Sequence, residues 1–232
     1  MIKFLLKGIL RDKNRSLLPI MVISIGVFLT VFMSAWMKGI FEDIVDLNAN
    51  FTTGHVKIET RAYAENESQM PNDLALLNID SLMKSASKDF PELEFVPRIQ
   101  FGCLLDIPDS TGETRAQGPG IGKAIDILSP GTKEIERMNL KKSLVKGEIP
   151  DKRGEALVSD DFVEQFGLNI GEKVTIFGST MDGSMMFRTF RIAGTVRFGV
   201  GFIDRGAIII DIRDGQEAMD MDDASSEILG FF

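Results

Sequence analysis

Leu17 to Met37 reads LLPIMVISIGVFLTVFMSAWM, 21 residues without a charge. At ~1.5 Å of rise per residue, a helix of this length spans roughly 30 Å, the hydrocarbon thickness of a bilayer. A soluble domain rarely buries a helix that is apolar all round. A cleaved signal peptide has a shorter apolar region followed by a small-residue cleavage site, and Ser34-Ala35-Trp36 is a poor one. A retained transmembrane helix is therefore expected over 17–38. Pro19 is placed in its first turn, where a missing N–H is tolerated. Ser24, Gly26, Thr30, Ser34 and Ala35 are small enough to let a second helix approach, which marks them as transmembrane packing positions. Trp36 suits the membrane–water interface.

The flanks set the orientation. Lys3, Lys7, Arg11, Lys13 and Arg15 precede the span, whereas Glu42, Asp43 and Asp46 follow Lys38 after it. Basic flanks stay on the cytoplasmic side, so the N-terminus is expected in the cytoplasm. Everything after about residue 39 then lies outside, in the periplasm of a cell with an inner membrane. Residues 2–10, IKFLLKGIL, put Ile2, Leu5, Leu6 and Ile9 on one face. A cytoplasmic interfacial helix is expected within 1–16.

The rest of the chain is acidic. Lysines and arginines number 26 against 34 aspartates and glutamates, a net charge of −8, and the pI is near 4.8. Phosphate backbones require the opposite sign, so a nucleic-acid partner is not expected. The single cysteine, Cys103, rules out an intramolecular disulfide and reads as a small apolar filler.

Periodicity predicts an α+β domain after the span. Residues 38–50 continue the helix, 54–59 alternate as a strand, 61–72 read as a loop and Asp73–Phe90 as a helix stopped by Pro91. A strand interrupted at Pro97 covers 93–105, and a short strand covers 124–128. Thr132–Met138 reads as one or two helical turns. Gly154–Ser159 is a strand leading into a helix capped by Asp160 and ended by Gly167. Two strands, 174–177 and 186–196, flank the hairpin signal Asp182-Gly183. Ala207–Ile212 is apolar throughout, as in a strand buried on both faces. A helix over Arg213–Asp223 and a strand over 226–232 follow. The apolar ending Leu229-Gly230-Phe231-Phe232 implies a piece of a longer protein.

Motifs for chemistry are weak. Gly118-Pro119-Gly120-Ile121-Gly122-Lys123 lacks the first glycine and the Ser/Thr of a phosphate loop, and Pro119 removes a donor, so it reads as a turn. His55 is the only histidine, too few soft ligands for zinc. No GxSxG elbow is present. Asp220, Asp222 and Asp223 lack a calcium-loop pattern. No catalytic residue, metal or cofactor is expected. Met181, Asp182, Met185, Met186 and Phe187 form a methionine-rich tip. Either they meet a partner as a soft, adaptable surface, or they fold back onto the core.

Three stretches resemble one family. LRDKNRSLLPIMVISIGVFLTVF (Leu10–Phe32) is similar to a basic K-x-R-S-x-L lead-in before an Ile-Gly-Val first span. GEALVSDDFVEQFGLNIGEKVTIF (Gly154–Phe177) is similar to a strand, a helix and then G-L-x-x-G-D-x-V, with Glu172 in the Asp place. FRTFRIAGTVRFG (Phe187–Gly199) is similar to an F-x-V-x-G return strand. In order and spacing the chain resembles permease subunits of MacB/FtsX-like ABC transporters, including the lipoprotein-releasing LolC/LolE type. The resemblance implies a four-span, non-catalytic permease with a large domain between spans one and two. That domain has a βαβ-rich porter part, over 39–105 and 206–232, and a β-rich sabre part, over 106–205. Implied partners are a cytoplasmic ATP-binding subunit, a second permease subunit and a periplasmic carrier or lipoprotein. In lipoprotein-releasing members a sabre hairpin meets the carrier, and the hairpin between Phe177 and Phe190 occupies that place. The alternatives are an FtsX-like permease that activates a cell-wall hydrolase and, in another class, a membrane-anchored enzyme or a single-span scaffold.

Overall fold

The computed structural model describes residues 13–109, 112–199 and 201–232, in two compact units, Met1–Ala49 and Asn50–Phe232. The interfacial helix expected on residues 2–10 lies outside the described residues. Among the described residues the first unit holds one long helix, α1 (Lys13–Asn48, 36 residues). Its Leu17–Phe41 segment, 25 residues, is long and apolar enough to cross a membrane, and none of it is buried. Pro19 stands inside α1, seventh in the helix and beyond the first turn, so its missing N–H interrupts the helical ladder. The Thr30 hydroxyl donates to the Gly26 carbonyl at 2.8 Å, which satisfies it without a second helix. Ser24, Gly26, Thr30 and Ser34 are all exposed.

The second unit is the expected α+β domain. Its main strands are β1 (Val56–Ile58), β3 (Glu94–Pro108), β4 (Thr114–Ile125), β5 (Leu144–Gly147), β6 (Glu155–Ser159), β7 (Lys173–Ser179), β8 (Met185–Val196), β9 (Ala207–Asp211) and β11 (Glu227–Phe231); β2 (Leu76–Leu77) and β10 (Ala224–Ser225) form a separate pair. The pairings β3–β4, β4–β9, β9–β6, β6–β8, β8–β7 and β7–β3 return to their start. Six strands therefore close into a ring and leave no free edge among themselves. Closure rests on two long strands. β3 pairs with β11 over 94–98 before it joins the ring, and β8 reaches from β7 at 185–191 to β6 and β5 at 191–196.

The two faces of the ring strands carry two cores. Phe101, Leu105, Val158, Val174, Ile176, Phe190, Ile192, Ile208 and Ile210 fill the inside. Outside, Phe51, Ile125, Met138, Leu140, Leu157, Val196 and Ile209 form a second cluster under the short helices Glu134–Arg137 and Leu140–Ser143. β9 is thus buried on both faces, as its unbroken apolar run requires.

Several expectations are corrected. Gly118–Lys123 is not a turn but the centre of β4. Gly118, Gly120 and Gly122 alternate onto the inner face, where Phe162, Leu105 and Phe101 press against the backbone. A Cβ at 122 would lie 2.0 Å from the Phe101 ring. These glycines make room for aromatic rings rather than for phosphate. Residues 61–72 hold a capped turn of helix (Arg61–Glu65), because the Thr60 hydroxyl accepts the Tyr63 N–H at 3.0 Å. The helix expected from Asp73 begins only at Ile79, since Leu76–Leu77 is drawn into pairing with Ala224–Ser225. Pro97 does not interrupt β3. Over 94–98 that strand is paired on one side only, which leaves a side where a missing donor costs nothing. Ser159, not Asp160, caps helix Asp160–Phe166 by accepting the Phe162 N–H, and Gly167 ends that helix at φ +62°. The helix expected over Arg213–Asp223 is Ile212–Met219. Asp211 caps it, and it stops at Asp220 in the left-handed region.

Gly122→Ala should lower the stability of the detergent-solubilised chain by about 1–3 kcal/mol, the usual cost of overpacking a filled core. Urea denaturation reads this as a lower midpoint at unchanged slope.

Candidate functional site

Two features of the domain are candidate functional sites: a buried ionic joint at its first residues and an uncovered apolar face on the ring.

The joint is centred on Arg98 in β3. Its guanidinium is wholly buried. Nε donates to Glu134 Oε2 at 2.7 Å, and Nη1 donates to the Asn50 carbonyl at 2.7 Å. Asn50 and Phe51 are the first residues after the unit that contains α1. A second cation holds the same backbone: Lys123 Nζ donates to the Phe51 carbonyl at 2.5 Å. Glu134 is also wholly buried and accepts from Arg137 Nη1 at 3.3 Å. Arg137 Nη2 and Lys133 in turn bind Glu94 at 2.7 and 2.8 Å. Those two bonds hold the Glu94 carboxyl below its ordinary range, Lys133 contributing most, although burial works the other way. Arg98 and Arg137 both lie over the Phe231 ring, at 5.5 and 4.4 Å. Desolvated cations of this kind stay charged only where hydrogen bonds and carboxylates replace water.

Lys123 lacks that compensation. Burial pushes its pKa down to about 8. Glu227 opposes the shift, while Arg98 and Lys57 add to it. Lys57 is the contrasting case. Burial alone would lower it, but Glu67, Glu227 and Glu59 surround its ammonium at 2.5, 3.0 and 3.0 Å and hold its pKa well above the ordinary lysine value. These three carboxylates converge closely enough to hold a metal ion, but Lys57 already supplies the positive charge at their centre.

The uncovered face lies on the outside of the ring. Directly paired residues point the same way across an antiparallel ladder, so Pro119, Leu104, Phe177 and Phe187 form one row across β4, β3, β7 and β8. A second row, two residues along, contains Ile121, Gly102, Ser179 and Met185. Phe187 is 71% exposed and Met185 79%. Large apolar side chains contiguous in this way are unusual on a surface and mark contact sites.

The five tip residues therefore separate. Met185 and Phe187 face outward. Met186, on the opposite face of β8, is buried inside the ring. Met181 packs against the inner core, and its N–H donates to the Met219 carbonyl at 2.8 Å. Asp182 is exposed in the turn. The hairpin is one side of a closed ring and does not stand free of it. Sequence reasoning missed Leu104, Phe177 and Pro119, whose place on the outer face follows from register alone. It also missed Arg98 and Lys123, for which the only available signal was charge inside a strand, and Glu134, which opens a short charged helix and carried no signal. His55 sits against the rings of Phe231 and Phe232. Burial pushes Cys103 up to about 12, so its thiol stays protonated and unreactive.

Glu134→Ala should cost about 3–5 kcal/mol by leaving Arg98 buried and unpaired, whereas Arg98→Met with Glu134→Leu should cost markedly less. Urea midpoints of the two variants against the parent check this order.

Residues 16–229 match the family described as MacB-like periplasmic core domain. No curated protein matches the chain. Among solved structures, the extracellular domain of the noncanonic ABC-type transporter YknZ from Gram-positive bacteria is similar at 11% identity and a TM-score of 0.44, over 74% of this chain and 78% of that one. The periplasmic region of MacB from Actinobacillus actinomycetemcomitans is similar at 13% identity and a TM-score of 0.43, over 74% and 71%. With the family match spanning nearly all of its length, this chain belongs to the MacB-like periplasmic core domain family.

Proposed function

We propose that this chain supplies the first membrane span and the extracytoplasmic domain of an ABC-transporter permease. It performs no bond chemistry of its own, and a separate cytoplasmic subunit hydrolyses ATP. Helix α1 crosses the membrane with its basic end in the cytoplasm, where the ATP-binding subunit meets it. A second permease subunit packs along the ridge formed by Gly26, Thr30 and Ser34, with Ser24 beside it. The supporting observation is the joint. Arg98 and Lys123 take hold of the carbonyls of Asn50 and Phe51, so charge-assisted bonds fix the first residues of the domain against its own strands. The porter part (39–105 and 206–232) and the sabre part (106–205) then move together, because their strands share the ring.

On this reading the outer row is where the moving domain meets a soluble carrier or the substrate itself, a lipoprotein or another amphiphile. A second reading draws on the shape of that row. An apolar strip on the outside of a closed ring fits a protein surface better than it encloses a small substrate, which favours a permease that activates a cell-wall hydrolase.

Purification from native membranes in mild detergent should bring along a stoichiometric subunit carrying a phosphate-binding loop, identified by mass spectrometry. Met185→Asp with Phe187→Asp should leave that subunit bound, leave the melting temperature within about 2 °C of the parent, and cut capture of the extracytoplasmic partner about tenfold or more. Absence of an ATPase would contradict the transporter reading. Unchanged partner capture would remove the row from it.

A further inference from the structure

Beside the joint, under Phe51, lies an apolar cavity of about 160 Å³. Phe51, Met138, Phe198, Ile203 and Ile209 line it, and Lys123 is the charged group among the lining residues. An ammonium has three N–H donors. Lys123 uses one on the Phe51 carbonyl, and among the described residues it has no other hydrogen bond and no ion pair. The nearby carboxylates are committed elsewhere. Glu227 is held by Lys57 at 3.0 Å and by Gln100 at 2.7 Å, and Glu134 by Arg98 and Arg137. Every other cation of the joint has a carboxylate partner. A half-buried cation without one, in a greasy pocket, is complementary to an anion that carries its own hydrocarbon.

We propose that this cavity binds an organic anion of the fatty-acid type, with its carboxylate on Lys123 Nζ and its hydrocarbon against Phe51, Phe198 and Ile203. The size is adequate: a dry apolar cavity of about 150 Å³ admits a benzene-sized group. A longer chain has somewhere to go. Ile121, at the wall of the cavity and 37% exposed, lies on the same face of β4 as Pro119, and its row leads on to Leu104 and Phe177. A carboxylate brought to Lys123 also returns the lysine towards its ordinary basicity, as the carboxylates around Lys57 do for that residue. The ammonium then bridges the ligand and the Phe51 carbonyl, at the first residues of the domain. The head-group site at Lys123 holds neither Met185 nor Phe187 of the partner row, and its occupancy is read by binding rather than transport, so either proposal can fail alone.

Octanoate titrated calorimetrically into the full chain in nanodiscs, with empty nanodiscs subtracted and octanol as the uncharged control, tests this. Saturable octanoate binding is expected, with octanol at least about tenfold weaker, the worth of one charge-assisted hydrogen bond. Lys123→Met should weaken octanoate by a similar factor and Lys123→Arg by much less. Ile203→Trp, which fills the cavity away from the charge, should abolish binding and serves independently should Lys123→Met not fold. Octanoate uptake no greater than in empty nanodiscs, equal affinity for octanol, or unchanged affinity in Lys123→Met or Ile203→Trp would each overturn the proposal.

Discussion

The buried guanidinium of Arg98 is the constraint around which this domain is organised. A charge wholly removed from water demands partners, and each partner fixes a different part of the chain: Glu134 a short helix on the outer face, Asn50 the first residue of the domain, Phe231 the end of β11. Such a cluster contributes little net stability compared with a well-packed apolar substitute, yet it is costly to break by halves. That asymmetry makes the cluster fix where the first residues of the domain lie more than it adds strength.

Closure of the ring does the complementary work. The contact that closes it is short, Leu104–Asp106 against Phe177–Thr175, but it divides every participating strand into an inner and an outer face. The inner face is filled to the point that three glycines of β4 have no space for a methyl group. The outer face is covered only near the joint. Where the cover stops, the apolar surface continues, first as the cavity walled by Ile121 and Lys123 and then as the open row ending at Phe187. One face thus carries core, cavity and contact surface in sequence.

Much of the fold was legible from local pattern. The long uncharged run, the Gly167 stop, the Asp-Gly turn and the unbroken apolar β9 are signals confined to a few residues, and each is present in the structure. What failed depended on distant neighbours. Glycines read as a turn because nothing local says that Phe101 and Phe162 will press on them. Helix Ile79–Asp89 starts late because Ala224–Ser225, far along the chain, pairs with the segment before it. The methionine tip was half legible. Alternation along β8 sends Met186 inward and Met185 and Phe187 outward, but which face is inside depends on ring closure, a pairing between β3 and β7 that no short window contains. Arg98 and Glu134 lie 36 residues apart, so neither announced the other.

The account stands or falls on α1 crossing a membrane with the ring on the outer side. Asp182 is exposed in the hairpin turn, and the only native thiol, Cys103, is protonated and largely buried, so Asp182→Cys offers a single reactive site. The account predicts that a membrane-impermeant maleimide labels this variant in intact spheroplasts as completely as after lysis. Labelling only after lysis would contradict it.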